Sequence, residues 1–72
     1  MFTAINRLTL AEGYFKELDK AIIEATREFD KDGGKDVADV EIEDKQETVV
    51  WRNGHLIPPE SRDHLHRKGR TK

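Results

Sequence analysis

The sequence predicts a small α+β domain, in which one long amphipathic helix packs on a three-stranded antiparallel β-meander between a flexible apolar N-terminal arm and a basic C-terminal tail. Three observations carry that expectation. Apolar residues recur every three or four positions from Ala11 to Phe29, the period drops to two after Gly33-Gly34, and Asn53-Gly54 follows a β-branched run.

The arm spans residues 1–8, where Phe2, Ile5 and Leu8 precede any helix signal and are free either to close over a core or to meet a partner. Thr9-Leu10-Ala11-Glu12 then has the T-x-x-E form of a capping box, so a helix is expected from Leu10. Ala11, Phe15, Leu18, Ile22, Ala25 and Phe29 form its apolar stripe, with Tyr14 and Ala21 on the flanks. Gly33-Gly34 ends it, because glycine readily takes the left-handed conformation that closes a helix.

Ala38, Val40 and Ile42 alternate with Asp39, Glu41 and Glu43 as a half-buried strand. A polar turn at Asp44-Lys45-Gln46 leads to a second strand through Thr48–Arg52. Asn53-Gly54 is a two-residue hairpin turn that sets Arg52 opposite His55, Trp51 opposite Leu56 and Val50 opposite Ile57. Val40, Ile42, Val49, Trp51 and Leu56 are expected on the face that the helix covers. Pro58-Pro59 stops the third strand, which divides the chain into residues 1–8, a domain over 9–60 and a tail over 61–72.

Charge is split between these parts. Residues 1–60 carry 8 Lys and Arg against 14 Asp and Glu, a net of −6, whereas residues 61–72 carry 5 against 1, a net of +4. A chain of 72 residues buries only about 60% of its unfolded surface and forms one thin core, too small for an ordinary substrate pocket. No cysteine supplies a disulfide, a thiolate ligand or a thiol nucleophile, so a cytoplasmic location is expected.

Asp30, Asp32, Val37 and Glu41 fall where an EF-hand calcium loop has its positions 1, 3, 8 and 12, and the preceding helix ends in Phe29. Over these twelve residues the chain resembles that family, which implies a calcium-responsive loop as a minor alternative. It departs from the pattern at Lys35, which stands where the turn glycine belongs, and after Glu41, where a strand replaces the second helix. Asp30 and Asp32 also lie at the negative end of the helix dipole, so a positive group is expected nearby, from Lys31, Lys35, the basic tail or a partner's Lys or Arg. His55, His64, His66 and Asp63 lack the spacing of a metal site, and no phosphate loop or catalytic motif is present. Neither catalysis, a cofactor nor a metal is therefore expected.

What remains is binding. Lys16, Lys20, Ile23 and Arg27 share a helix ridge opposite the apolar stripe, and with Phe2 and Ile5 of the arm they are the expected partner-binding residues. The leading expectation is a non-catalytic, monomeric regulator or inhibitor that docks on a larger protein. An acidic body with a basic tail suits machinery that handles nucleic acid, such as RNA polymerase or a nuclease, and phage and mobile-element accessory proteins have this size. The alternative is direct, weak and non-specific nucleic-acid binding through Arg62, Arg67, Lys68, Arg70 and Lys72.

Overall fold

The computed structural model describes residues 1–60, so the basic tail and its Arg62, Arg67, Lys68, Arg70 and Lys72 lie outside the described residues. The chain runs β1 (Phe2–Asn6), β2 (Ala11–Phe15), α1 (Leu18–Lys31), a 3-10 turn (Gly34–Asp36), β3 (Val40–Glu43), β4 (Val49–Arg52) and β5 (His55–Leu56). The fold is α+β, but its antiparallel sheet has five strands in the order β2-β1-β3-β4-β5 rather than three.

The two additional strands come from the first fifteen residues. The segment expected as a flexible arm is β1, hydrogen-bonded between β2 and β3, with Ala4 and Ile5 buried. The turn that follows is organised by Asn6, whose Oδ1 accepts from the N–H groups of Leu8 (3.0 Å) and Thr9 (3.4 Å). An Asn side chain closing its own turn in this way competes with helix formation. Leu10 takes a left-handed φ of 67°, and Thr9 Oγ1 accepts from the Ala11 N–H (3.2 Å) instead of capping a helix. Ala11, Gly13 and Phe15 then alternate with Glu12 and Tyr14 along β2, which pairs with β1 without a bulge.

The helix therefore starts at Leu18, not Leu10, and Phe15 belongs to the sheet. From Leu18 onward the stripe is as expected: Ala21 and Ala25 are fully buried, and Leu18, Ile22 and Phe29 pack against the same core. Alanines at the centre of that stripe bring the helix close to the sheet. It lies over β1, β3 and β2. Gly33, with φ of 100°, follows the helix end as a left-handed stop.

Ala4, Val40, Ile42, Val50 and Trp51 meet Ala21 and Ala25 between the layers. The hairpin is as expected, with Trp51 opposite Leu56, Arg52 opposite His55 and the Ile57 N–H donating to the Val50 carbonyl (2.9 Å). Two of the expected inward residues differ. A register shift between Ile42 and Glu43 sets Glu43 opposite Val49, so that Val50 rather than Val49 is drawn into the core. Leu56 is 55% exposed, because β5 lies beyond the strands that α1 covers.

Among the described residues the sheet's other face is uncovered, and it is charged. Glu41 on β3 is buried between two arginines, Arg7 Nη2 at 2.8 Å and Arg52 Nε at 3.3 Å. Arg7 also reaches Glu43 (3.4 Å), and its hydrogen bond with Glu41 holds the guanidinium further above its usual value, burial opposing in part. This ladder ties the end of β1 to β3 and β4. No helix of the described residues is long and apolar enough to cross a membrane.

Candidate partner-binding site

The ridge residues divide once the helix is shortened. Lys16 lies in the bend between β2 and α1, and Lys20 and Ile23 lie on the first half of α1. Together with Tyr14 and Phe15 at the end of β2 they line a shallow, open groove, rimmed by Glu17 and Glu24. Arg27, one turn beyond Ile23, is held by Glu24 (2.9 Å). Four of the six expected partner-binding residues, Lys16, Lys20, Ile23 and Arg27, thus occupy one side of the molecule.

The other two do not join them. Ile5 is 9% exposed on the uncovered face of β1, and Phe2 is half-buried against the core. Both serve the fold, because β1 is an inner strand whose side chains alternate between the two faces.

Tyr14 is the contributor that sequence reasoning missed. It is 65% exposed and its hydroxyl donates to Glu12 Oε1 at 2.8 Å. The signal was Gly13, about 1 kcal/mol worse than alanine inside a helix, within a segment that also alternates polar with apolar. The groove is mixed in charge. Lys16 and Lys20 make no ion pair among the described residues, whereas Arg27 and Lys31 are each paired with a glutamate on α1.

The Tyr14–Glu12 bond makes a pH prediction. The bond stabilises the neutral phenol, because ionising Tyr14 would set a phenolate against a carboxylate, and it holds the hydroxyl above the usual value of about 10. Any stability from this bond is complete below the unfolded phenol's pKa and lost as pH rises through the higher folded value. Tyr14 is the chain's single tyrosine, so the absorbance change on forming phenolate follows it alone. The titration midpoint should lie above that of a free phenol, and Glu12→Gln should lower it. Coincident midpoints would show that the bond does not persist in solution.

Two carboxylates of the calcium-loop segment are engaged by neighbouring side chains. Of the calcium-loop carboxylates, Glu41 is held by Arg7 and Arg52, and Asp32 Oδ2 accepts from the Asn6 side-chain amide, which also donates to Glu28 Oε1 (3.2 Å). That amide is a neutral donor, and the cation expected beside Asp30 and Asp32 is not paired with either among the described residues, Lys31 reaching Glu28 instead (3.5 Å). Glu41 itself lies in β3, where the second helix of a calcium hand would run. Among the described residues no group of three histidine, aspartate or glutamate side chains converges on a metal-sized site. Compared with protein-family models, curated proteins and solved structures, the chain matches none.

Proposed function

We propose that this chain is a non-catalytic protein-binding regulator that docks on a larger protein through Lys16, Lys20, Ile23 and Arg27, with Tyr14 at the edge of the contact. The observation that supports it is the pairing pattern: exposed Ile23 shares the groove with two lysines that have no ion-pair partner among the described residues, and Tyr14 borders it from the end of β2. A partner that suits this surface presents an apolar pocket for Ile23 with carboxylates beside it for Lys16 and Lys20. Burying the isoleucine contributes about 1.5–3 kcal/mol, roughly 10- to 100-fold in affinity, while the rim cations chiefly set encounter rate and salt dependence. The split charge of the chain makes an enzyme that handles nucleic acid the first partner class to test.

The test is differential capture from a host lysate. A specific partner should be retained by the wild-type chain and by Lys45→Glu, which alters an exposed residue of the β3–β4 turn. It should be lost with Ile23→Asp and weakened with Lys16→Glu and Lys20→Glu, each variant first shown to melt as the wild type does. Capture indifferent to all the ridge variants would place the interface elsewhere.

A further inference from the structure

The two edges of the sheet are not protected alike. At one edge β5 is two residues long and is followed by Pro58-Pro59, both of which blunt a strand against further pairing. At the other edge β2 pairs regularly over all five residues and has no bulge, proline or lysine, its sole charge being Glu12. Natural edge strands of this length usually carry such a device.

The backbone groups on that edge, unpaired in the sheet among the described residues, follow from the ladder. The Val40 carbonyl accepts from the Asn53 N–H (2.9 Å), so Val40 faces β4 and its neighbour Glu41 faces β1. Backbone direction alternates along a strand and is shared by hydrogen-bonded partners, which turns Ile5 toward β3 and Ala4 toward β2. Arg7, two beyond Ile5, agrees: its N–H donates to the Asp39 carbonyl (2.8 Å). Gly13 opposite Ala4 therefore faces β1. Glu12 and Tyr14 turn their N–H and C=O groups outward.

This spacing is self-complementary. With a two-fold axis through Gly13, two β2 strands run antiparallel over their full length, and the outward groups of Glu12 in each copy meet those of Tyr14 in the other. A two-fold axis through Glu12 would oppose like carboxylates. One through Tyr14 would overlap only the last three residues of the strand. The Gly13 register instead puts each Glu12 carboxylate opposite a Tyr14 hydroxyl, the donor and acceptor that already bond within one strand. Glycine on the axis leaves no side chain between the copies.

We infer that a second copy of this chain is the occupant of the β2 edge, forming a two-fold dimer in which Glu12 pairs with Tyr14 across the interface and the sheet continues through both copies. The inference replaces the expected monomer and does not rest on the helix-ridge reading, since it shares Tyr14 alone with that reading and uses neither Lys20 nor Ile23. The contact is four backbone hydrogen bonds and two side-chain pairs, so the dimer should dissociate on dilution.

Sedimentation equilibrium tests it. The average mass should rise from one copy toward two as concentration increases from micromolar to millimolar. Tyr14→Glu opposes two carboxylates at each pair and should move the transition to at least about tenfold higher concentration, two cross-strand pairs being affected. Adding Glu12→Lys to Tyr14→Glu restores opposite charges and should recover the dimer. In the wild-type chain, amide exchange at Glu12 and Tyr14 should slow as concentration rises, a readout that needs no variant. A single-copy mass throughout, a dimer indifferent to Tyr14→Glu, or no rescue by the second change would each overturn the proposal.

Discussion

Trp51→Ala is expected to abolish the cooperative thermal transition of this domain. Trp51 is 3% exposed, stands opposite Ile42 in the β3–β4 ladder, and shares the core with Val40, Val50, Ala21 and Ala25. Truncating a buried tryptophan costs about 3–5 kcal/mol, from lost transfer free energy and from the cavity left behind. A domain of this length has a total stability of about 4–11 kcal/mol at ordinary per-residue values, and a thin core sets it toward the lower end. Circular dichroism should show a broad, non-cooperative change for Trp51→Ala. Leu56→Ala, on the exposed neighbour opposite Trp51, should melt within a few degrees of the wild type. A cooperative transition retained near the wild-type temperature by Trp51→Ala would contradict the assigned strand faces.

Removing residues 1–6 should be at least as damaging. That segment is β1, and its loss separates β2 from β3 and strips hydrogen-bond partners from both. It also removes Ala4 from the core and deletes Asn6, which is 2% exposed and bonded to Leu8, Thr9, Glu28 and Asp32. Each buried backbone group left unpaired costs about 1–3 kcal/mol, so several together exceed the stability of the domain. The truncated chain should give a collapsed amide spectrum with narrow proton dispersion. Wild-type dispersion in the remaining residues would mean that the N-terminal segment is dispensable.

The contrast between the two halves of the chain shows what sequence patterns convey. Leu18, Ala21, Ile22, Ala25 and Phe29 lie on one helical face and no strand reading accommodates them, so this part of the helix was legible. Asn53-Gly54 was legible for a chemical reason, since both residues take positive φ (47° and 96°) in a turn that matches strand twist. The segment from Thr9 to Phe15 satisfied two patterns at once. Ala11, Phe15 and Leu18 continue the helical spacing, yet Ala11, Gly13 and Phe15 also alternate as a strand. The choice was made by distant partners: β1 offers β2 a complete ladder, which a local capping box does not outweigh.

The strand character of Phe2–Asn6 was equally non-local, for five residues between a terminus and a turn carry too little alternation to declare themselves. The extra residue in β4 left no trace in composition, and it decided which of Val49 and Val50 enters the core. Of the candidate site, Lys20, Ile23 and Arg27 were readable as a ridge because their spacing is helical in α1, whereas Lys16 lies in the bend before it. Tyr14 and the β2 edge were not, since an edge exists only once the strand order is known.

The N-terminal segment is an inner strand, which commits Phe2 and Ile5 to the fold and leaves β2 at the edge of the sheet. Native-state amide hydrogen exchange measures this directly, residue by residue. The Ala4 and Ile5 amides, facing β2 and β3 respectively, should be protected to about the level of Ile42 in β3, with exchange requiring global unfolding. Exchange of residues 2–6 at the rate of an unstructured peptide, while Ile42 and Trp51 remain protected, would contradict the account.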